Sequence, residues 1–334
     1  MTVNAATIQT YDNSVLREDL AEQYSMISPE ECPFQTAIGQ AEASTQPHHE
    51  WSVLDLQAVD NANRVAEGED NPAVDPGDLA DRRSNYTQIS DKMVKVSQTS
   101  EASDAAAEDV QRIAKQIALK IRALKRDMET MLLQNVPADP GAADGATVRQ
   151  TAGMPAFLFT NTHGEAGGAD PTLSGTTTGY PDVAAVPGTV PVPLSEDVFN
   201  DIIQSCWENG GAPNIAMVNA NNKRVISETF TGTSTKYKDA IDKQIVNAVD
   251  IYDSDFGVFS IVPNRFQPTI AASNYYVLLL DPEYAGVSFL ETVRQKPLAE
   301  TGHSKNRLVW CEYALQVDNE GAHGIIRDTN GAAA

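Results

Sequence analysis

The sequence predicts an α+β protein in which a long two-stranded ribbon and a long helix stand beside a compact α/β unit. Three observations carry this. Residues 48–98 hold two strand-like runs around an acidic stretch bearing Pro and Gly. Residues 100–135 hold one continuous helical stripe. Residues 193–290 alternate helical and strand patterns at the spacing of packed layers. With 334 residues, 41% of them apolar, the chain is long enough for two or three domains with sizeable cores.

Residues 1–47 form a weakly patterned arm. Val15–Met26 (VLREDLAEQYSM) predicts one short helix, and Pro29, Pro33 and Gly39 interrupt the residues after it. Such a segment buries little of itself and drapes over its own or a neighbouring surface. The ribbon rises over His49–Gln57, with Trp51 and Val53 on one face and Ser52, Leu54 and Leu56 on the other. It falls over Tyr86–Val96. Between the limbs lie Glu67, Glu69, Asp70, Asp75, Asp78 and Asp81, with no Lys or Arg between Arg64 and Arg82. This stretch reads either as a solvated loop or as an arm reaching a basic or polar patch on another subunit. An isolated ribbon is marginal in water, which favours one supported by a partner.

Val110, Ile113, Ile117, Ile121, Leu124, Met128 and Met131 recur at steps of three or four. Ser100 or Ser103 can cap the start, acids fill the early turns, and Arg112, Lys115, Lys120, Arg122, Lys125 and Arg126 fill the later ones. Roughly 32 helical residues ending before Pro137 make a rod of about 48 Å. Such a spine braces an extended subunit. Residues 136–193, rich in Gly, Thr and Pro, read as a long surface excursion in which only Ala156–Thr160 looks strand-like.

From Pro193 regular patterns return. Leu194–Asn209 is an amphipathic helix capped by Ser195, turning Phe199, Ile202, Ile203 and Cys206 inward and ended by Gly210–Gly211. Ile215–Val218 is a short buried strand, and Asn222–Glu228 begins another helix. Gln244–Tyr252 and Gly257–Val262 form two strands around the turn Asp253–Asp255. Asn274–Leu280 is a buried strand closed by Asp281–Pro282. In Leu308–Val317 the residues Val309, Cys311, Tyr313, Leu315 and Val317 share a face, and Ile325–Ile326 comes after the turn Gly321–Gly324.

The charge balance excludes one large class of function. With 24 Lys+Arg against 46 Asp+Glu, a formal net charge of −22, the chain repels a phosphate backbone. Cys32, Cys206 and Cys311 are too scattered for a zinc module or a disulfide framework and read as reduced thiols. The opening residues show no secretion signal, and the longest apolar run, Tyr275–Leu280, is far short of the ~20 residues of a membrane span. His48 and His49 are adjacent, so on a strand they point to opposite faces. No HExxH, GxSxG or GxxxxGK[ST] pattern occurs. Asp253 and Asp255 fit a simple turn far better than a cation site, and Trp51, Trp207 and Trp310 read as core or contact anchors. These residues supply no catalytic constellation, cofactor site or metal site.

The order of the parts is informative. Arg83–Ser84–Asn85–Tyr86–Thr87–Gln88–Ile89 followed by Val96–Ser97–Gln98–Thr99 resembles the end of an extended loop. Lys125–Arg126–Asp127–Met128–Glu129 with Leu132–Leu133 resembles the end of a spine helix. Tyr252, Asp255–Phe256–Gly257, Val262–Pro263–Asn264–Arg265 and Leu280–Asp281–Pro282 resemble axial-domain strands. Glu312, Leu315, Val317, Asn319, Ala322 and Gly324 resemble the last strand and its turn. As an ordered set over residues 45–325, these resemble the tailed-phage major capsid proteins of the Hong Kong 97 type, in a podovirus-like branch.

That resemblance implies an N-terminal arm (1–47), an extended loop across the adjacent subunit (48–99) and a peripheral domain carrying the spine (100–192). It also implies an axial domain (193–290) and a return to the peripheral domain (291–334). Many copies, in hexamers and pentamers, would close around double-stranded DNA in the host cytoplasm, with a scaffolding protein, a portal and a cement or decoration protein as partners and no membrane. Some relatives weld the loop to a neighbour through a Lys–Asn isopeptide bond. No Lys occurs here before Lys92, so the loop cannot supply that lysine and the shell is expected to be non-covalent or cement-clamped. The expected subunit contacts are the loop acids Glu67, Glu69, Asp70, Asp75, Asp78 and Asp81, set against Arg112, Lys115, Arg122 and Arg126 of a neighbouring spine. Arg82, Arg83 and Trp51 join them at the loop base. A nanocompartment shell enclosing enzymes, and a virion fibre or adhesin, are the competing readings.

Overall fold

The computed structural model describes residues 28–54, 59–64, 67–68, 79–103, 112–175, 178–191, 193–230, 250–270, 274–300 and 302–331. The predicted helix at Val15–Met26 lies outside them. In chain order the first elements are α1 (Pro33–Ile38), β1 (His48–Val53), β2 (Asp81–Tyr86), β3 (Gln88–Ser97), α2 (Gln98–Ala102) and α3 (Ile113–Leu133). Next come α4 (Met154–Phe157), β4 (Thr162–His163), β5 (Thr172–Leu173), β6 (Pro181–Val183), α5 (Glu196–Glu208), β7 (Ile215–Val218) and α6 (Ala220–Thr229). The chain closes with β8 (Ile251–Ser254), β9 (Gly257–Pro263), β10 (Tyr275–Leu280), β11 (Ala285–Pro297), β12 (Ser304–Val317) and β13 (Gly324–Thr329).

Two sheets organise the molecule. A six-stranded sheet runs β4-β13-β10-β7-β9-β8, and a three-stranded antiparallel sheet runs β11-β12-β3. Side chains of a strand alternate between faces, and the six-stranded sheet uses both. Met217, Leu278, Leu280 and Ile325 face a core shared with α1, α3, α4 and the three-stranded sheet. Ala216, Val218, Val277, Leu279 and Ile326 face a second core under α5 and α6. Burial on both sides explains why β10 reads as an unbroken apolar run.

Helix α5 forms as its sequence predicts. Ser195 Oγ accepts the Val198 N–H at 3.3 Å, Phe199, Ile202, Ile203 and Cys206 are buried, and Gly210 takes φ +85° past the end. Helix α6 is capped in the same way by Asn219, whose Oδ1 accepts the Asn222 N–H at 2.8 Å. Strand β7 lies where the sequence placed it, and the β8–β9 hairpin is shifted: Asp253 and Ser254, expected in the turn, pair with Val258 and Gly257, the turn is Asp255–Phe256, and residues 244–249 are outside the described set.

Four further expectations are corrected. The limb that falls opposite β1 is β2, paired from His48↔Tyr86 to Val53↔Asp81. After Thr87 the chain leaves the ribbon, and β3 pairs with β12 from Gln88↔Tyr313 to Ser97↔Ser304. The rod does not begin at residue 100. Ser97 caps α2, and Ser103, with extended backbone (ψ 145°), closes it after Ala102. The hydroxyls of Ser97 and Ser103 bond to local backbone and compete with helix propagation. The described rod is α3, 21 residues or roughly 31 Å, with neither acids in its first turn nor cations in its last.

Ala156–Thr160 is not a strand on a surface excursion. Met154–Phe157 is one helical turn, buried against the end of α3. Gly153 permits the approach, since a Cβ there would meet the Gln134 carbonyl oxygen at 1.9 Å. The rest of the excursion is tied down by Ala138 N–H to Pro181 O (2.8 Å), Asn135 Nδ2 to Ala185 O (2.7 Å) and Gly179 N–H to Arg82 O (2.8 Å). The last correction concerns the C-terminal part. β11 and β12 belong to the three-stranded sheet, but β13 crosses into the six-stranded one.

Candidate functional site

The residues singled out in the sequence fall into two groups, a ribbon root and an arm dock. At the root, Trp51 is half-buried on β1. Its Nε1 donates to Val317 O at 2.8 Å, and its ring lies 6.2 Å from that of Phe157. Arg82 pairs with Glu50 across the ribbon, and the Arg83 guanidinium sits 5.3 Å over the Phe159 ring. Asn85 is buried and fully satisfied. Its Nδ2 donates to Leu315 O (2.7 Å) and Thr151 Oγ1 (3.0 Å), and its Oδ1 accepts the N–H groups of Ala152 (3.0 Å) and Tyr86 (2.9 Å). Thr87 Oγ1 donates to Glu312 at 2.6 Å. Arg149 pairs with Glu312 and donates from Nε to Thr87 O at 2.6 Å. These bonds fix the ribbon where it joins the body, and the described loop residues Leu54, Val59, Glu67 and Leu79 are exposed.

The acidic loop is only partly described. Glu67 is exposed and Asp81 half-exposed on β2, while Glu69, Asp70, Asp75 and Asp78 lie outside the described residues. On the spine, Arg112 is exposed and Lys115 half-exposed at the start of α3. Arg122 and Arg126 have partners in their own chain. Arg122 Nη1 reaches Glu30 Oε1 at 2.8 Å, and Arg126 Nη1 reaches Ser28 Oγ at 2.9 Å with its guanidinium 5.5 Å over Phe266. The two cations therefore help lay the arm along the spine.

The centre of the arm dock escaped the sequence reading. Glu129, inside the apolar stripe of α3, is fully buried. One carboxylate takes three donors, two from α1 and one from Asn264. Phe34 N–H reaches Oε1 at 2.7 Å, Gln35 N–H reaches Oε2 at 3.0 Å, and Asn264 Nδ2 reaches Oε1 at 2.7 Å. Burial pushes its carboxyl above the usual range, and the hydrogen bonds from Gln35, Phe34 and Asn264 oppose that rise. Nothing in the local sequence separates this glutamate from a solvated one, because its donors lie 94, 95 and 135 residues away.

The two buried thiols are not set up for covalent chemistry. Burial raises the Cys206 and Cys311 thiols to about 12, so both stay protonated and unreactive. Among the described residues no three His, Cys, Asp or Glu side chains converge on a metal site, and no helix is long and apolar enough to cross a membrane. What the arrangement provides is a braced subunit with residues 28–38 pinned to the spine and a two-stranded ribbon bonded to the body at Trp51, Asn85 and Gly179.

Several solved structures share this fold over nearly the whole chain. The capsid of a native GTA particle aligns at a TM-score of 0.58 and 13% identity, covering 96% of this chain and 97% of that one. Mycobacterium phage Bobi aligns at 0.56 and 13% identity, covering 96% and 98%. The holo-SrpI encapsulin complex from Synechococcus elongatus PCC 7942 aligns at 0.55 and 8% identity, covering 98% and 97%. The fold is thus the Hong Kong 97 type. No curated protein matches the chain in sequence. Residues 2–330 match the model of the SU10 major capsid protein family, and the chain belongs to that family of structural, non-enzymatic capsid proteins.

Proposed function

We propose that copies of this chain close, as hexamers and pentamers, into the icosahedral shell of a tailed bacteriophage around double-stranded DNA, without covalent links between subunits. The ribbon carries this reading. Its two strands form a sheet of their own, its root is pinned by Trp51, Asn85 and Arg149, and its described loop residues Leu54, Val59 and Leu79 are exposed. An apolar-dotted acidic loop held out on a rigid root is costly for a lone subunit and is stabilised by a neighbour.

In this reading residues 1–47 are the arm and β1, β2 and the loop between them the extended loop, while β3, α3, β11 and β12 belong to the peripheral domain and the six-stranded sheet, β13 included, with α5 and α6 to the axial domain. The acids from Glu67 to Asp81 meet cations of the next subunit, Arg112 and Lys115 among them, with Arg82 and Arg83 steadying the loop base. Each exposed pair contributes only about 0–1 kcal/mol, but the shell repeats it in every subunit. A wall of subunits that each carry a net charge of −22 lets packaged DNA slide without being trapped. A scaffolding protein, a portal and a cement or decoration protein are the expected partners during assembly in the host cytoplasm.

The test is to express the chain alone and with neighbouring gene products and image what forms. Closed polyhedra that protect DNA from nuclease once packaged, and that dissolve to single subunits on a denaturing gel, are expected. Elongated rods would contradict the reading. The encapsulin structure supports a second one, a nanocompartment, which shells filled with cargo protein and free of DNA would favour.

A further inference from the structure

Two side chains on one face of α3 each touch both the arm and the six-stranded sheet. Glu129 takes the N–H groups of Phe34 and Gln35 from α1 and an Nδ2–H of Asn264, the residue after β9. Arg126 donates from Nη1 to Ser28 Oγ at 2.9 Å and holds its guanidinium 5.5 Å over the ring of Phe266. Residues three apart on a helix are neighbours on its surface, so this acid and this base form one clamp. The turn they grip moves with the sheet. Asn264 N–H donates to Val218 O of β7 at 2.8 Å, Met217 Sδ of β7 lies 3.4 Å from Asn264 Nδ2, and Asn264 Oδ1 accepts the Phe266 N–H at 2.8 Å. Among the described residues no hydrogen bond joins residues 28–38 directly to residues 263–267. A cavity of about 430 Å³ parts them, with Glu31 and Pro33 on one side and Pro263 and Arg265 on the other. The hydrogen-bonded path from arm to turn runs through α3.

We propose that Glu129 couples the seating of the arm to the position of the six-stranded sheet on the spine, so that displacing either one loosens the other. The inference goes beyond the proposed function and holds whatever the shell encloses. Its cause is the cost of a buried charge. With α1 in place Glu129 is fully buried, and its carboxylate depends on its three donors in place of water. Withdrawing Asn264 leaves the arm sealing a carboxylate with one donor fewer, which raises the cost of keeping α1 closed. Withdrawing α1 lets water reach Glu129, and Asn264 then gains less by staying. The donors therefore reinforce one another, and a coupling of this kind is reciprocal. Burial already holds the Glu129 carboxyl above its usual range, so the three donors do not fully offset the lost hydration. Arg126 repeats the arrangement beside it. Its Nε is buried without an acceptor among the described residues, and Ser28 and Phe266 together hold its guanidinium.

Hydrogen exchange on the full chain tests the coupling. Asn264→Leu keeps the side chain close to its size and removes the donor. It is expected to quicken exchange of the amides from Phe34 to Ile38 at least about tenfold, the scale of one lost hydrogen bond to a charged group, although residue 264 bonds to none of them. Val225→Ala, a buried change in α6 that leaves the clamp untouched, should alter those amides less than about twofold. Unchanged α1 exchange in Asn264→Leu overturns the proposal. Equal quickening in both variants overturns it too, because it reports general loosening. The Glu129→Leu background locates the link. There, adding Asn264→Leu should quicken α1 no further, and an undiminished effect overturns the role of Glu129. If Asn264→Leu does not fold, Phe34→Ala reads the coupling from the arm side. It should quicken the Phe266 amide by a similar factor while β13 stays protected; an unmoved Phe266 amide, or β13 quickened equally, overturns the proposal.

Discussion

At the residue scale, two buried titratable groups reveal how the subunit is held. Glu129 receives three donors, and removing their acceptor leaves each N–H buried without one, at about 1–3 kcal/mol apiece. Glu129→Ala is therefore expected to destabilise the dissociated subunit by roughly 3 kcal/mol or more in urea unfolding and to expose residues 28–40 to protease. An unchanged midpoint would show that the arm is held by other contacts. His323 is the opposite case. It is fully buried; Nδ1 accepts the Asp281 N–H at 3.2 Å, and Nε2 lies 3.3 Å from Tyr284 O, so one neutral tautomer fits. Burial lowers its pKa from 6.5 to about 4.

The sign of the pH effect is set by where protons bind. As pH falls through 6.5 the unfolded chain protonates His323 while the folded chain does not until about 4. Its contribution is intact above pH 6.5, is lost between 6.5 and 4, and totals roughly 3 kcal/mol. Glu129 and Glu320, both raised by burial, act in reverse, contributing below pH 4.5 and losing that contribution as pH rises through their folded values. Unfolding midpoints of His323→Gln against the parent over pH 4–7 check the histidine, whose share of the slope should vanish.

At the element scale, the ribbon root decides how the loop is presented. Trp51→Ala loses the bond to Val317 and the packing on Phe157, a cost of about 2 kcal/mol. Hydrogen exchange should quicken in β1 and β2 while β12 stays protected. Equal protection in the variant would place the anchor elsewhere. Elements specified by local signals were legible in the sequence: Ser195 before the α5 stripe, the apolar run of β10, the Asp-bearing turn between β8 and β9. Those specified by distant partners were not. β3 reads as a ribbon limb until β12, more than 200 residues later, claims it. Phe157 and its neighbours form an apolar run too short to tell strand from helix. The site obeyed the same rule: Trp51 stood out in the sequence as a core or contact anchor, but Asn85 and Glu129 depend on groups that only the fold brings near.

At the scale of the whole molecule, a braced body, a pinned arm and a ribbon with an acidic loop serve a shell subunit. The absence of lysine before Lys92 bears on how the shell is sealed. Mature particles should run as a single subunit band on a denaturing gel, and a ladder of crosslinked bands would show a weld made by other residues. Charge contacts of this kind weaken with salt, so shell stability should fall as ionic strength rises. Cryo-electron microscopy of shells assembled from the purified chain tests the central claim most directly. It should show closed polyhedra with each ribbon laid over an adjacent copy; a monodisperse monomer that forms no closed particle, even with its scaffolding partner present, would contradict it.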